Sequence, residues 1–160
     1  MKRNEAPTIE KLVMLVWNDD DEAFSELYSI TCDRLYNYCR LFMHSETKAM
    51  DAVRESYLLA YKNINLLKDP SLFERWLFRI AFQICYDKAI TESYDQYASL
   101  LSPYELEVLP FHEKQIFFLH DYRDLSEGEI ADALDISKKY VASALTSARK
   151  HLLAIKSGAV

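Results

Sequence analysis

The chain has 160 residues and a net charge of −6, with half of its residues hydrophobic and 13% aromatic. Its length allows one domain or two small ones, and its apolar content excludes a disordered tail. With two glycines, four prolines and no sustained apolar–polar alternation, it argues for helices over strands.

Ile9, Leu12, Val13 and Val16 recur at helical spacing after Thr8 and predict a first short helix. The acidic run Asp19–Glu22 then opens a second helix, where negative charge suits the positive end of the dipole. Its apolar stripe is Phe24, Leu27, Tyr28, Leu35, Tyr38, Cys39 and Phe42. Ser45 caps a third helix with Ala49, Val53, Tyr57, Ala60 and Ile64 inward. Asp69-Pro70 reads as a cap followed by proline at the first helical position. The fourth helix carries Phe73, Trp76, Leu77, Ile80, Ala81, Ile84 and Cys85, and Trp76 is read as core at that spacing.

Periodicity weakens after Asp87, and Thr91–Ser102 reads as a link between two helical modules. Beyond it Pro110 starts a helix bearing Ile116, Phe117 and Leu119. Ser126 and Glu129 form a capping box for a helix running to about Leu134. The turn Asp135-Ile136-Ser137 follows, and Ser137 caps a last helix with Val141, Leu145, Ala148 and Leu152 inward. The expectation is an all-α chain with modules at 8–90 and 104–156 and a linker at 91–103.

No apolar run approaches the roughly 18–20 residues that cross a bilayer. The opening MKRNEAPTIE has basic residues without an apolar stretch, so no signal peptide, no membrane insertion and a cytoplasmic location are expected. Cys32, Cys39 and Cys85 lack paired C-x-x-C spacing, and the four histidines are scattered, so neither metal nor cofactor is expected. The chain also lacks a glycine-rich phosphate loop and a recognisable Ser/Cys–His arrangement, which argues against an enzyme.

Charge distribution says more than the acidic total. Residues 137–156 hold Lys138, Lys139, Arg149, Lys150 and Lys156 and no acidic residue. Two helices joined by a short turn, the second one basic, have the layout of a helix-turn-helix. The second helix of such a unit enters the major groove. With Ile130, Leu134, Ile136, Val141 and Leu145 inward, Lys138, Lys139, Tyr140, Ala142, Ser143 and Thr146 are left for DNA. The alternative on spacing and charge alone is a helical hairpin with a solvated basic face.

Four stretches carry a family resemblance. Leu109–Leu152, with Leu125-Ser126-x-x-Glu129-Ile130-Ala131 and then Ile136, Ser137, Val141, Ser143, Leu145, Ala148, Arg149 and Lys150, resembles the fourth conserved region of sigma-70-family factors. Asp51-Ala-Val-Arg-Glu-Ser-Tyr-Leu-Leu-Ala-Tyr resembles the helix by which that family grips core RNA polymerase. Phe73-x-x-Trp-Leu-Phe-Arg-Ile-Ala resembles the segment that follows it, and Asp20–Leu41 resembles the opening helix. About four-fifths of the chain is covered, in the family's order, and the similarity is to the extracytoplasmic-function group.

The resemblance implies an alternative sigma factor without catalysis of its own that binds core RNA polymerase and promoter DNA. It assigns polymerase binding to Asp51, Arg54, Glu55, Leu58 and Tyr61, with Tyr61 as an anchor buried in the contact and Val53 and Tyr57 partly inward. It assigns the downstream, minus-ten element to Asn65, Lys68, Arg79 and Gln83. The upstream, minus-thirty-five element falls to Ser137, Lys138, Lys139, Tyr140, Ser143, Arg149 and Lys150. An anti-sigma protein is the implied inhibitory partner. A degenerate sigma-like interaction protein, or a helix-turn-helix regulator with weak DNA binding, is the alternative.

The chain departs from the family pattern at named positions. Arg54 stands for the usual glutamine, Tyr57 for phenylalanine, Gln83 for asparagine, and Ile90 for a basic residue. Ala142 and Ala144 stand where lysine and arginine are frequent, and Asp135 replaces the turn glycine. Fewer cations predict weaker, less salt-sensitive DNA binding, since each neutralised phosphate contributes roughly 0.9 to the log–log salt slope.

Overall fold

The computed structural model describes residues 7–97 and 103–158. Among these there is no strand, and no helix is long and apolar enough to cross a membrane. The chain divides into two units, Met1–Tyr86 and Asp87–Val160.

In the first unit each helix starts at a local cap. The Thr8 side chain accepts the Lys11 amide before α1, Ile9–Val16, and Asp20 accepts the Ala23 amide before α2, Asp21–Phe42. Ser45 accepts the Lys48 amide before α3, Glu46–Asn63. These caps satisfy end-of-helix donors that would otherwise lack partners. Asp69 caps a single 3₁₀ turn, Pro70–Leu72, that leads into α4, Phe73–Tyr97.

Leu12 and Val13 of α1, Leu27 and Leu35 of α2, Val53 and Tyr57 of α3, and Phe73 and Leu77 of α4 are buried together with Cys39 and Cys85. The expected inner face of α3 holds throughout, and Ala52 and Ser56 join it. On α4 the buried set is wider than the stripe read from the sequence. Phe82 and Tyr86 are buried, while Trp76, Ile80 and Ile84 are half-buried. The reason is aromatic packing: Phe82 lies 5.3 Å from Phe42 and 5.8 Å from Tyr86, and Tyr38 lies 4.7 Å from Phe78. On α2, Tyr28 is not inward but 40% exposed, its ring resting on Tyr57 at 4.7 Å. Two buried hydroxyls are satisfied in the core, Thr31 donating to the Leu27 carbonyl at 2.6 Å and sharing a hydrogen bond with Tyr57 at 2.7 Å. All three cysteines are free thiols.

Helix α4 continues through Tyr97, so the first half of the expected linker is helical. The rest of that linker, residues 98–102, lies outside the described residues. In the second unit, α5 is Pro103–Glu107 and α6 is Phe111–Phe117, begun by Pro110 as expected. Instead of running on, α6 opens into a wide π turn at Phe118–Tyr122, closed by the Arg123 amide on the Phe118 carbonyl at 3.2 Å. Leu119 is buried inside that turn, and Phe118 stacks on Tyr122 at 5.1 Å. Helices α7, Glu127–Leu134, and α8, Lys138–Lys156, complete the unit. Its core holds Leu106, Ile116, Leu119, Ile130, Val141, Leu145, Ala148 and Leu152. Lys114 is buried as well, its Nζ 2.9 Å from Glu107 of α5.

Candidate nucleic-acid and protein interfaces

The helix-turn-helix is built by local chemistry. Ser126 Oγ accepts the Glu129 amide at 3.3 Å, and the Glu129 carboxylate accepts the Ser126 amide at 2.8 Å, which is the reciprocal capping box. The Ser126 amide and hydroxyl, both donating to Glu129, hold its carboxyl below the usual carboxylate range. Asp135 takes the left-handed conformation, φ 53° and ψ 49°, so an aspartate fills the turn position that usually needs glycine. Ser137 then caps α8 by accepting the Tyr140 amide at 3.1 Å.

These constraints aim α8. Val141, Ala144, Leu145, Ala148 and Leu152 are buried, so Ala144 belongs to the core rather than the DNA face. Ser137, Lys138, Lys139, Tyr140, Ser143, Arg149 and Lys150 are all exposed. None of Lys138, Lys139, Arg149 and Lys150 makes an ion pair among the described residues. Lys139, Ser143, Thr146 and Lys150 succeed one another at four-, three- and four-residue steps and so share one face. Glu113 of α6 fixes that helix from behind, accepting the Ser147 hydroxyl at 2.7 Å and meeting His151 Nδ1 at 2.7 Å. The sequence reading missed Glu113, because its partners are 34 and 38 residues away and no local pattern marks it.

In the first unit, α3 turns Arg54, Glu55, Leu58, Leu59 and Tyr61 outward, with Asp51 half-buried. Leu58 is 62% and Tyr61 45% exposed, whereas Val53 and Tyr57 are fully inward rather than partly so. Arg54 lies 3.5 Å from Asp51, one helical turn back. The Tyr61 hydroxyl donates to Asp21 of α2 at 2.5 Å, and that carboxylate raises the phenol's pKa. Phe24 stands 4.9 Å from the Tyr61 ring and holds its inner edge.

The loop after α3 is pinned at both ends. Trp17 at the end of α1 donates its indole N–H to the Ile64 carbonyl at 3.0 Å, and the Asn63 amide donates to Leu59 at 2.8 Å. At the far end Asp69 accepts both the amide and the hydroxyl of Ser71, at 2.9 and 2.7 Å, which lowers its pKa. Between the pins Asn65, Leu66 and Lys68 point to solvent, Leu66 at 72% exposure. On α4, Arg79 and Gln83 are exposed four residues apart, on one face. Neither Trp17 nor Leu66 was singled out by the sequence. Trp17 acts across 47 residues, and the run at residues 64–67 is too short for periodicity to show which of its apolar residues faces outward.

The chain is similar in part to known proteins. Residues 104–152 match the family described as sigma-70, region 4. Over 89 residues the chain is 29% identical to the ECF RNA polymerase sigma factor SigW of Bacillus subtilis (strain 168). That match takes in 56% of this chain and 48% of the relative, so the chain spans about half the length of the curated relative it matches. In fold it is similar to CnrH, solved in complex with the cytosolic domain of CnrY. The TM-score there is 0.51 at 24% identity, covering 94% of this chain and 97% of the other. A structure of the RsbN–BldN complex matches with TM-score 0.44 and 21% identity over 89% of this chain and 98% of the other. Residues 104–152 thus match region 4 of the sigma-70 factors, and over part of its length the chain is similar to an extracytoplasmic-function sigma factor.

Proposed function

We propose that the chain is an alternative sigma factor, which binds core RNA polymerase and directs it to promoters. The observation that carries this reading is the fully capped helix-turn-helix whose second helix presents Lys138, Lys139, Arg149 and Lys150 without ion-pair partners, inside the segment matched to region 4. Unneutralised cations on such a helix gain affinity by releasing the counterions condensed on DNA. In this reading Ser143 and Tyr140 meet base edges, and Ser137 keeps the helix start in place.

The outward face of α3 serves polymerase binding. Asp51, Arg54 and Glu55 tune encounter, while Leu58 and Tyr61 supply the area that is desolvated on contact. The pinned loop carries Asn65 and Lys68 to the downstream element, with Arg79 and Gln83 alongside on α4. An anti-sigma protein is the inhibitory partner we assign, in line with the protein partner that CnrH carries in its solved structure.

A second reading, a sigma-like protein that binds polymerase but reads DNA weakly, is favoured by Ala142, which brings no charge to the outward face of α8. One experiment separates the two. The purified chain competes with a labelled housekeeping sigma factor for core RNA polymerase, and the resulting complex is assayed by run-off transcription on selected promoters. Displacement with promoter-dependent transcripts is expected. Displacement without transcripts selects the second reading, and a monodisperse protein that displaces nothing refutes both.

A further inference from the structure

The outward face of α8 is chemically incomplete for ordinary base reading. Guanine and adenine are read best by Arg, Asn or Gln making two hydrogen bonds at once. Between Lys139 and Lys150 the face presents Ala142, Ser143, Thr146 and Ser147 instead, and with Lys150 these four line a shallow hollow in the helix surface. Their hydroxyls are mostly spent inside the protein. Thr146 Oγ1 donates to the Ala142 carbonyl at 2.9 Å, and Ser147 Oγ donates to the Glu113 carboxylate at 2.7 Å. Only Ser143 keeps a hydroxyl with no partner among the described residues.

The hydroxyl of exposed Thr146 donates back to the helix, which leaves its methyl group as the apolar part of the side chain, one turn after the methyl of half-buried Ala142. In the major groove one base alone offers a matching apolar group, the C5-methyl of thymine. The hollow also lets the groove floor approach, because only short side chains stand between Lys139 and Lys150 on that face.

We infer that Ala142 and Thr146 read thymine methyl groups in the upstream promoter element, with Ser143 supplying a hydroxyl contact between them. The inference rests on the DNA-reading role proposed above and names its specificity. Lys138 and Lys139 then position the helix on phosphates without contributing to the choice of base.

The test uses the full chain. Duplexes are selected from a randomised library, and the selected sequence is resynthesised with deoxyuridine replacing thymidine, one position at a time. Removing a contacted methyl should weaken binding about fourfold per position, the factor expected for one buried methyl-sized group. Thr146→Ser, which keeps the hydroxyl, and Ala142→Gly should each abolish the thymidine–deoxyuridine difference at one position. Thr146→Val, which keeps an outward methyl, should retain it. Lys138→Ala with Lys139→Ala should weaken both duplexes by the same factor. A selected duplex bound equally well with deoxyuridine throughout overturns the inference and leaves the DNA-reading role intact. Failure to select any duplex overturns both.

Discussion

The outward side chains of α3 include the large apolar groups Leu58, Leu59 and Tyr61 beside charged Arg54, Glu55 and Lys62, and its arginine lies beside an aspartate of the same helix. On α8 the outward face between Lys139 and Lys150 carries Ala142, Ser143 and Thr146, with Tyr140 at the helix start and Leu153 near its end as the large exposed apolar groups. The lysines there have no acidic neighbour in their segment. Both helices are amphipathic and capped by serine, so fold requirements do not account for the contrast. What differs is the environment each face is suited to enter. Large half-exposed apolar groups gain by being covered by another protein surface. A helix about 10–12 Å across fits a groove about 12 Å wide closely, and positive charge on it matches the phosphates at the groove edges.

That contrast is broken most strongly by attacking α3. Leu58→Asp combined with Tyr61→Ala should raise the concentration needed to displace a labelled sigma factor from core polymerase by at least about thirtyfold. Binding of the free chain to a selected duplex should be unchanged. A loss of DNA binding in that variant would mean that the two faces do not act separately.

The reciprocal change is smaller. Lys138→Ala with Lys139→Ala should weaken duplex binding about tenfold near physiological salt and reduce the log–log salt slope by about 1.8, at roughly 0.9 per phosphate. Polymerase competition should not move. A salt titration with unaltered slope would remove both lysines from the phosphate contacts.

The smallest effect lies beneath the α3 face. Tyr57→Phe deletes the hydrogen bond to Thr31, which keeps its bond to the Leu27 carbonyl, and should cost about 1 kcal/mol of unfolding free energy. Burial pushes the Tyr57 phenol up to about 12, although the Thr31 hydrogen bond works the other way. An unfolded tyrosine ionises near pH 10. The neutral phenol's contribution to stability is therefore whole below about pH 10 and is lost as pH rises toward 12. Alkaline denaturation followed by circular dichroism should show Tyr57→Phe less sensitive across that window than the parent chain.

Legibility in the sequence followed distance along the chain. Thr8, Ser45, Ser137 and the Ser126–Glu129 pair are caps, whose chemistry closes within three residues, and each was readable. Asp135 was readable because few side chains tolerate a left-handed turn. The Trp17 bond to Ile64, the Asp21 bond to Tyr61 and the grip of Glu113 on α8 join residues 34 to 47 positions apart, and periodicity carries no trace of them. Lys114 shows the same limit from another side. A lysine reads as surface until a neighbouring helix brings a glutamate within 2.9 Å of its ammonium. Of the α8 face, the exposed cations were legible, whereas the turned-back hydroxyl of Thr146 needed coordinates.

The wide turn at Phe118–Tyr122 has a consequence for how such chains change in length. A bond from residue 123 back to residue 118 encloses one residue more than an ordinary helical turn. Losing that residue would tighten the backbone to regular α geometry, with the adjustment confined to five positions. Elsewhere in α6 the same deletion would rotate every following side chain by about a quarter of a turn and drag Ile116 or Phe117 out of register. At this turn, unlike elsewhere in α6, loss of one residue would be absorbed before it reached the helix-turn-helix.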